Sequence, residues 1–107
     1  MSHYLLQVAY SPEGWAAQVK NPQNRIEAVR PAVEKLGGKL REAWYAFGEY
    51  DLVALLEMPD NASAAAFAVA AAAGGAVKAI KTTPLMSVEE GMEAVRKAGG
   101  AGYAPPR

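Results

Sequence analysis

Three features of the chain predict an α+β domain built on a four-stranded antiparallel sheet. Strand-like runs rich in branched and aromatic residues occupy residues 4–10, 39–46, 52–58 and 77–86. Helical runs opened by capping residues follow the first, third and fourth of them. The second and third strands are joined only by Phe47-Gly48-Glu49-Tyr50-Asp51, which predicts a β-hairpin with Gly48 supplying a tight reversal.

The first strand alternates Tyr4, Leu6, Val8 and Tyr10 on one face with His3, Leu5, Gln7 and Ala9 on the other. The first set is the more apolar and is predicted to meet the helices. Ser11-Pro12-Glu13-Gly14 then opens a turn or a short helix. Asn21-Pro22 repeats that signature and is predicted to start the main first helix, running to Leu36. Ile26, Val29, Val33 and Leu36 form its apolar stripe, and Pro31 predicts a kink or break within it. Gly37-Gly38 ends it.

In the second strand Leu40, Glu42, Trp44 and Ala46 alternate with Arg41, Ala43, Tyr45 and Phe47. The third strand sets Leu52, Ala54, Leu56 and Met58 against Asp51, Val53, Leu55 and Glu57, as a central strand does. Asp60 or Asn61 caps a helix that runs to Ala73 and is mostly alanine, with Phe67 and Val69 as its large anchors. Gly74-Gly75 ends it. In the fourth strand Pro84 offers no N–H, which predicts a sheet edge or a strand end. Ser87-Val88-Glu89-Glu90 is a capping box opening a last helix to Lys97, with Val88, Met92 and Val95 on one side. Residues 1–98 therefore form the folded domain, and residues 99–107 a Gly/Pro tail.

Composition narrows the function classes. The 107 residues fit one domain, and 51% hydrophobic content excludes a disordered chain. Eleven basic and eleven acidic residues cancel, with no basic stripe, so no nucleic-acid partner is predicted. Zero net charge leaves little electrostatic resistance to self-association. The absence of cysteine excludes disulfides, thiolate metal sites and a Cys nucleophile. One histidine gives no multi-histidine metal set, and no cofactor is predicted. Met1-Ser2-His3-Tyr4 lacks the basic region of a signal peptide, and the alanine-rich stretch falls short of the roughly 20 residues of a membrane span. A soluble cytoplasmic protein without a membrane partner is expected.

The order β-α-β-β-α-β plus a C-terminal helix, with right-handed crossovers, is simplest as a ferredoxin-like fold with both helices on one sheet face. The other face would then carry Leu5, Trp44, Val53 and Leu55 among His3, Gln7, Glu42, Asp51 and Glu57. An apolar patch of that kind predicts a homodimer with sheets facing each other and polar groups lining a pocket between them.

Gly48, Tyr50 and Asp51, with Glu49 between them, make a Gly-x-Tyr-Asp motif. Together with Asn24-Arg25-Ile26-Glu27-Ala28, Leu36-Gly37-Gly38-Lys39-Leu40 and Glu57-Met58-Pro59-Asp60, the chain resembles the GYD-domain family over residues 3–95. The resemblance implies the ferredoxin-like fold of the dimeric α/β-barrel superfamily, which hosts cofactor-free oxygenases, isomerases, haem enzymes and ligand sensors. It implies no particular activity. The nearly polyalanine second helix and the tail depart from the family pattern.

Each candidate site residue has a functional and a structural role open to it. His3, Tyr50 and Asp51 are the catalytic candidates: His3 as a general base or an axial haem ligand, Tyr50 and Asp51 as a hydrogen-bonding pair at a pocket mouth. Structurally, Asp51 would cap the turn and Tyr50 pack across the hairpin. Gln7, Arg25, Glu42, Trp44, Tyr50 and Asp51 are the ligand-binding candidates. Arg25 would hold an anion or pair with Glu27 or Asp51. Trp44 would stack on a flat ligand or pack at the dimer interface. The expected function is a homodimeric small-molecule-binding module; a cofactor-independent oxygenase or isomerase and an assembly protein are the alternatives.

Overall fold

The computed structural model describes all 107 residues. Its elements are β1 (Ser2–Tyr10), α1 (Pro12–Lys20), α2 (Arg25–Lys35), β2 (Lys39–Tyr45), β3 (Leu52–Met58), α3 (Asn61–Ala73), β4 (Val77–Leu85) and α4 (Val88–Gly99). The sheet order is β2-β3-β1-β4 with every neighbour antiparallel, which is the ferredoxin-like arrangement. β4 is an edge strand, so it runs through Pro84 without losing a ladder bond.

The core lies between the sheet and α2 and α3. Tyr4, Leu6, Val8 and Tyr10 of β1 meet Leu52, Ala54, Leu56 and Met58 of β3, and Val33, Ala64 and Phe67 close the cluster from the helices. Ile26, Val29 and Leu36 pack against it, as the α2 stripe predicts. Tyr4 is nearly fully buried, and its hydroxyl donates to Asn61 Oδ1 at 2.5 Å, so the phenol enters the core without a lost hydrogen bond.

The segment after β1 is the short helix that Ser11-Pro12 predicts, with Ser11 Oγ accepting from Gly14 N at 3.0 Å and Pro12 at the first position of α1. Four expectations are corrected. Asn21 ends α1, and Asn24 caps α2, its Oδ1 accepting from Ile26 N and Glu27 N. Pro22 disfavours helical backbone at the residue before it, and Asn21 leaves the helix at φ −138° and ψ 79°. α2 runs unbroken through Pro31. Val69 is exposed, because it lies about 200° round the helix from Phe67 and only one of them can face the sheet. Gly48 keeps an ordinary φ; the hairpin turns through a wider loop closed by Ala46 N donating to Asp51 O at 2.9 Å.

α4 stands apart. None of its residues is buried, and Val88, Met92 and Val95 are exposed on one side. The radius of gyration of 17.1 Å exceeds the ~13 Å of a compact domain of about this length, as a projecting helix requires.

Candidate functional site

The face of the sheet away from α2 and α3 is uncovered. Strand register arranges it in rows. Lys39, Glu57, His3 and Leu85 lie across one end, Glu42, Leu55, Leu5 and Thr83 in the middle, and Trp44, Val53, Gln7 and Lys81 beyond. Leu5, Val53 and Leu55 are half-buried by their neighbours and Trp44 is half-exposed. A β-bulge produces this set. Between Leu40 and Glu42 the β2–β3 register shifts, so Leu40 enters the core while Glu42 and Trp44 stay on the open face. The extra residue, Arg41, turns its guanidinium onto the Glu57 carboxylate. That hydrogen bond holds the Glu57 pKa below its ordinary value, and burial only partly opposes it.

At the far end of this face lies the loop carrying Tyr50 and Asp51. Asp51 N donates to Val8 O at 2.8 Å, and Asp51 Oδ2 accepts from Tyr10 N at 2.9 Å. The carboxylate thus extends the β1–β3 ladder one step past the start of β3. It does so where β1 loses register with β4, between Ala9 and Tyr10. Asp51 is a positioning residue: it fixes the end of β1. Asp51→Ala leaves the buried Tyr10 N–H without a partner and should cost about 1–3 kcal/mol in urea unfolding. Asp51→Asn keeps an acceptor oxygen and should cost less. Equal losses for the two would overturn this role. Tyr50 does not join Asp51. It borders an open depression of about 440 Å³ on the uncovered face, with Gln7, Val53 and Lys81, below the fully exposed Phe47.

The candidate residues divide into three groups. Gln7, Glu42, Trp44 and Tyr50 share the uncovered face. His3 stands at its opposite end, five residues along β1 from Val8, or roughly 17 Å from the Asp51 end at ~3.4 Å per residue. His3 borders a separate depression with Leu55, Leu85, Met86 and Glu90. No three of the His, Asp and Glu side chains come together in a way that would hold a metal ion. Arg25 lies on the other side of the sheet, at the start of α2, and is in no ion pair; Glu27 takes Arg30 instead.

Arg25 borders a cleft of about 290 Å³ between α2 and α3, over β1 and β3. Of the residues around that cleft only Arg25 and Tyr10 have polar side-chain atoms. Burial raises the Tyr10 pKa, opposed by the nearby Arg25 guanidinium, so the phenol stays protonated at neutral pH. Trp15 meets the Tyr10 ring edge-to-face at 5.2 Å. Period-2 reading assigns Tyr10 to the core and misses this second role. The signal for it is the run Ala70-Ala71-Ala72-Ala73, which is too small to fill the space opposite Val29.

A ferredoxin-like sheet, bare on one face and closed at one end by an aspartate-locked Gly-x-Tyr-Asp loop, defines a small α+β domain of a single class. The chain belongs to the GYD domain family, whose model matches residues 4–95 of the 107. No curated protein and no solved structure matches the chain significantly. No helix is long and apolar enough to cross a membrane.

Proposed function

We propose that the protein is a homodimeric small-molecule-binding module whose two uncovered sheet faces pack against each other. The observation behind this reading is the patch of Trp44, Val53, Leu55 and Leu5, spread over two adjacent rows of a sheet face that no helix covers. A patch of this kind on a soluble monomer stays exposed to water at a cost that a second copy removes. Packing would also roof the depression bordered by Gln7, Glu49, Tyr50 and Lys81, turning an open hollow into a pocket with four polar side chains.

The enzyme reading draws less support. Its candidates His3 and Asp51 lie at opposite ends of the sheet, and Asp51 is occupied by Tyr10 N. The exposed stripe of α4 favours an additional role for that helix in assembly.

Size-exclusion chromatography with light scattering tests the dimer. The expected mass is twice the 11.3 kDa of the chain. Leu55→Arg places a charge within the patch and should give a folded monomer. A wild-type mass of one chain, or an unchanged dimer in Leu55→Arg, would sink the facing-sheet arrangement.

A further inference from the structure

The helix side of the sheet holds a cavity that the dimer reading does not use. α2 packs over β2 and α3 over β4 and β3, and a cleft remains between the two helices. The floor of the resulting cleft is Leu6, Val8 and Leu52, and its walls are Val29 and Phe67. Alanine keeps it open: Ala70 and Ala71 present one methyl each where a larger residue would close the gap. At about 290 Å³ it has room for roughly ten non-hydrogen atoms, at the ~30 Å³ that a water occupies in the liquid.

Its polar groups are few and of one kind. Arg25 and Tyr10 are both donors toward a ligand, and no carboxylate borders the cleft. The nearest acidic groups are engaged elsewhere, Glu27 with Arg30 and Asp51 with the Tyr10 backbone. Arg25 is the first residue of α2, just after the Asn24 cap. An apolar trough ending in a phenol and a guanidinium that is in no ion pair and holds only a 3.5 Å hydrogen bond to Gln23 Oε1 complements a single anionic head on an apolar body. A planar carboxylate suits the guanidinium fork.

We propose that the cleft between α2 and α3 binds medium-chain monocarboxylates, with the carboxylate on Arg25 and Tyr10 and the chain over Leu6, Val8 and Leu52. The Gly-x-Tyr-Asp loop then has a part in binding without touching the ligand. Asp51 fixes the backbone of Tyr10, and Tyr10 presents the phenol.

Isothermal titration calorimetry on the full chain tests this, with octanoate as probe and octan-1-ol and octylamine as controls. Octanoate should bind at one site per chain, at least tenfold more tightly than either control. Arg25→Gln should lower octanoate affinity about tenfold or more and leave octan-1-ol unchanged, because it removes the charged partner and keeps the trough. Ala71→Leu should fill the trough and abolish binding of both. Circular dichroism melts establish that each variant is folded. No octanoate binding at millimolar concentration, equal binding of the three probes, or octanoate affinity unchanged in both variants would overturn the proposal. The cleft is on the opposite sheet face from the proposed interface. Leu55→Arg should therefore retain octanoate binding, and failure of one proposal does not imply failure of the other.

Discussion

Phe67→Ala should destabilise the domain by about 3–5 kcal/mol, a large share of the ~5–15 kcal/mol that holds a domain of this size together. Nine of the thirteen residues of α3 are alanine, and Phe67 is its one large buried side chain. Alanine gives the helix high intrinsic propensity, yet a helix this short is marginal in water without packing. Its other ties are modest. Asp60 Oδ1 accepts from Ser63 N at 2.7 Å, and Asn61 accepts from Tyr4. Those bonds hold the start of the helix and leave its second half to Phe67. Urea unfolding should show the loss. Native-state hydrogen exchange should show α3 amides losing protection ahead of those in β1 and β3. A loss below 1 kcal/mol would mean that α3 is held by its alanine contacts instead.

Gly38→Ala should cost about 3 kcal/mol, near the upper end for overpacking. Gly38 is the last residue of the Schellman motif that ends α2. Gly38 N donates to Val33 O at 3.0 Å and Gly37 N to Glu34 O at 2.9 Å. A Cβ at position 38 would run into Met58 Sδ and lie only 2.5 Å from Glu57 O, with Val33 Cγ1 at 3.3 Å. Met58 and Val33 are wholly buried, and Glu57 O is backbone of the central strand, so none has free space to move into. Gly37→Ala is the informative comparison. Position 37 has a φ of +87°, but its Cβ would meet only the Pro59 ring at 3.4 Å. It should cost about 1–2 kcal/mol through the left-handed backbone alone. A smaller loss at 38 than at 37 in urea midpoints would show that β3 yields to the added methyl.

Where local chemistry sets a feature, the sequence makes it legible. The apolar set Tyr4, Leu6, Val8 and Tyr10 faces the core because alternation along a strand is fixed by backbone geometry. The capping box at Ser87 and Glu90 forms as its spacing dictates, with both reciprocal hydrogen bonds made. Asn21-Pro22 carries the signature of a helix start, but α1 already uses residues 12–20, so Asn21 ends that helix and Asn24 caps the next.

The candidate site was legible in part. Gln7, Glu42, Trp44 and Tyr50 do share a sheet face, and Leu5, Val53 and Leu55 accompany them. Arg25 belongs to the opposite side. Alternation says which residues share a face within one strand, but it cannot say what a helix residue overlooks. Tyr10 and Asp51 are forty-one positions apart, so their hydrogen bond has no local trace in the sequence.

The sequence by itself determined the element types, the antiparallel sheet with its apolar inner face, the absence of thiol chemistry and the family. The first three follow from period, capping and composition, which act over a few residues at a time, and the family from the order of its short motifs. Only the tertiary structure decided that Arg41 bulges out of β2 and turns onto Glu57, that Asp51 locks the end of β1, and that α2 and α3 leave an apolar cleft with Arg25 at its mouth. Each depends on where distant segments come to rest. That is set by how large and small side chains fill the shared core, and no short-range pattern records it.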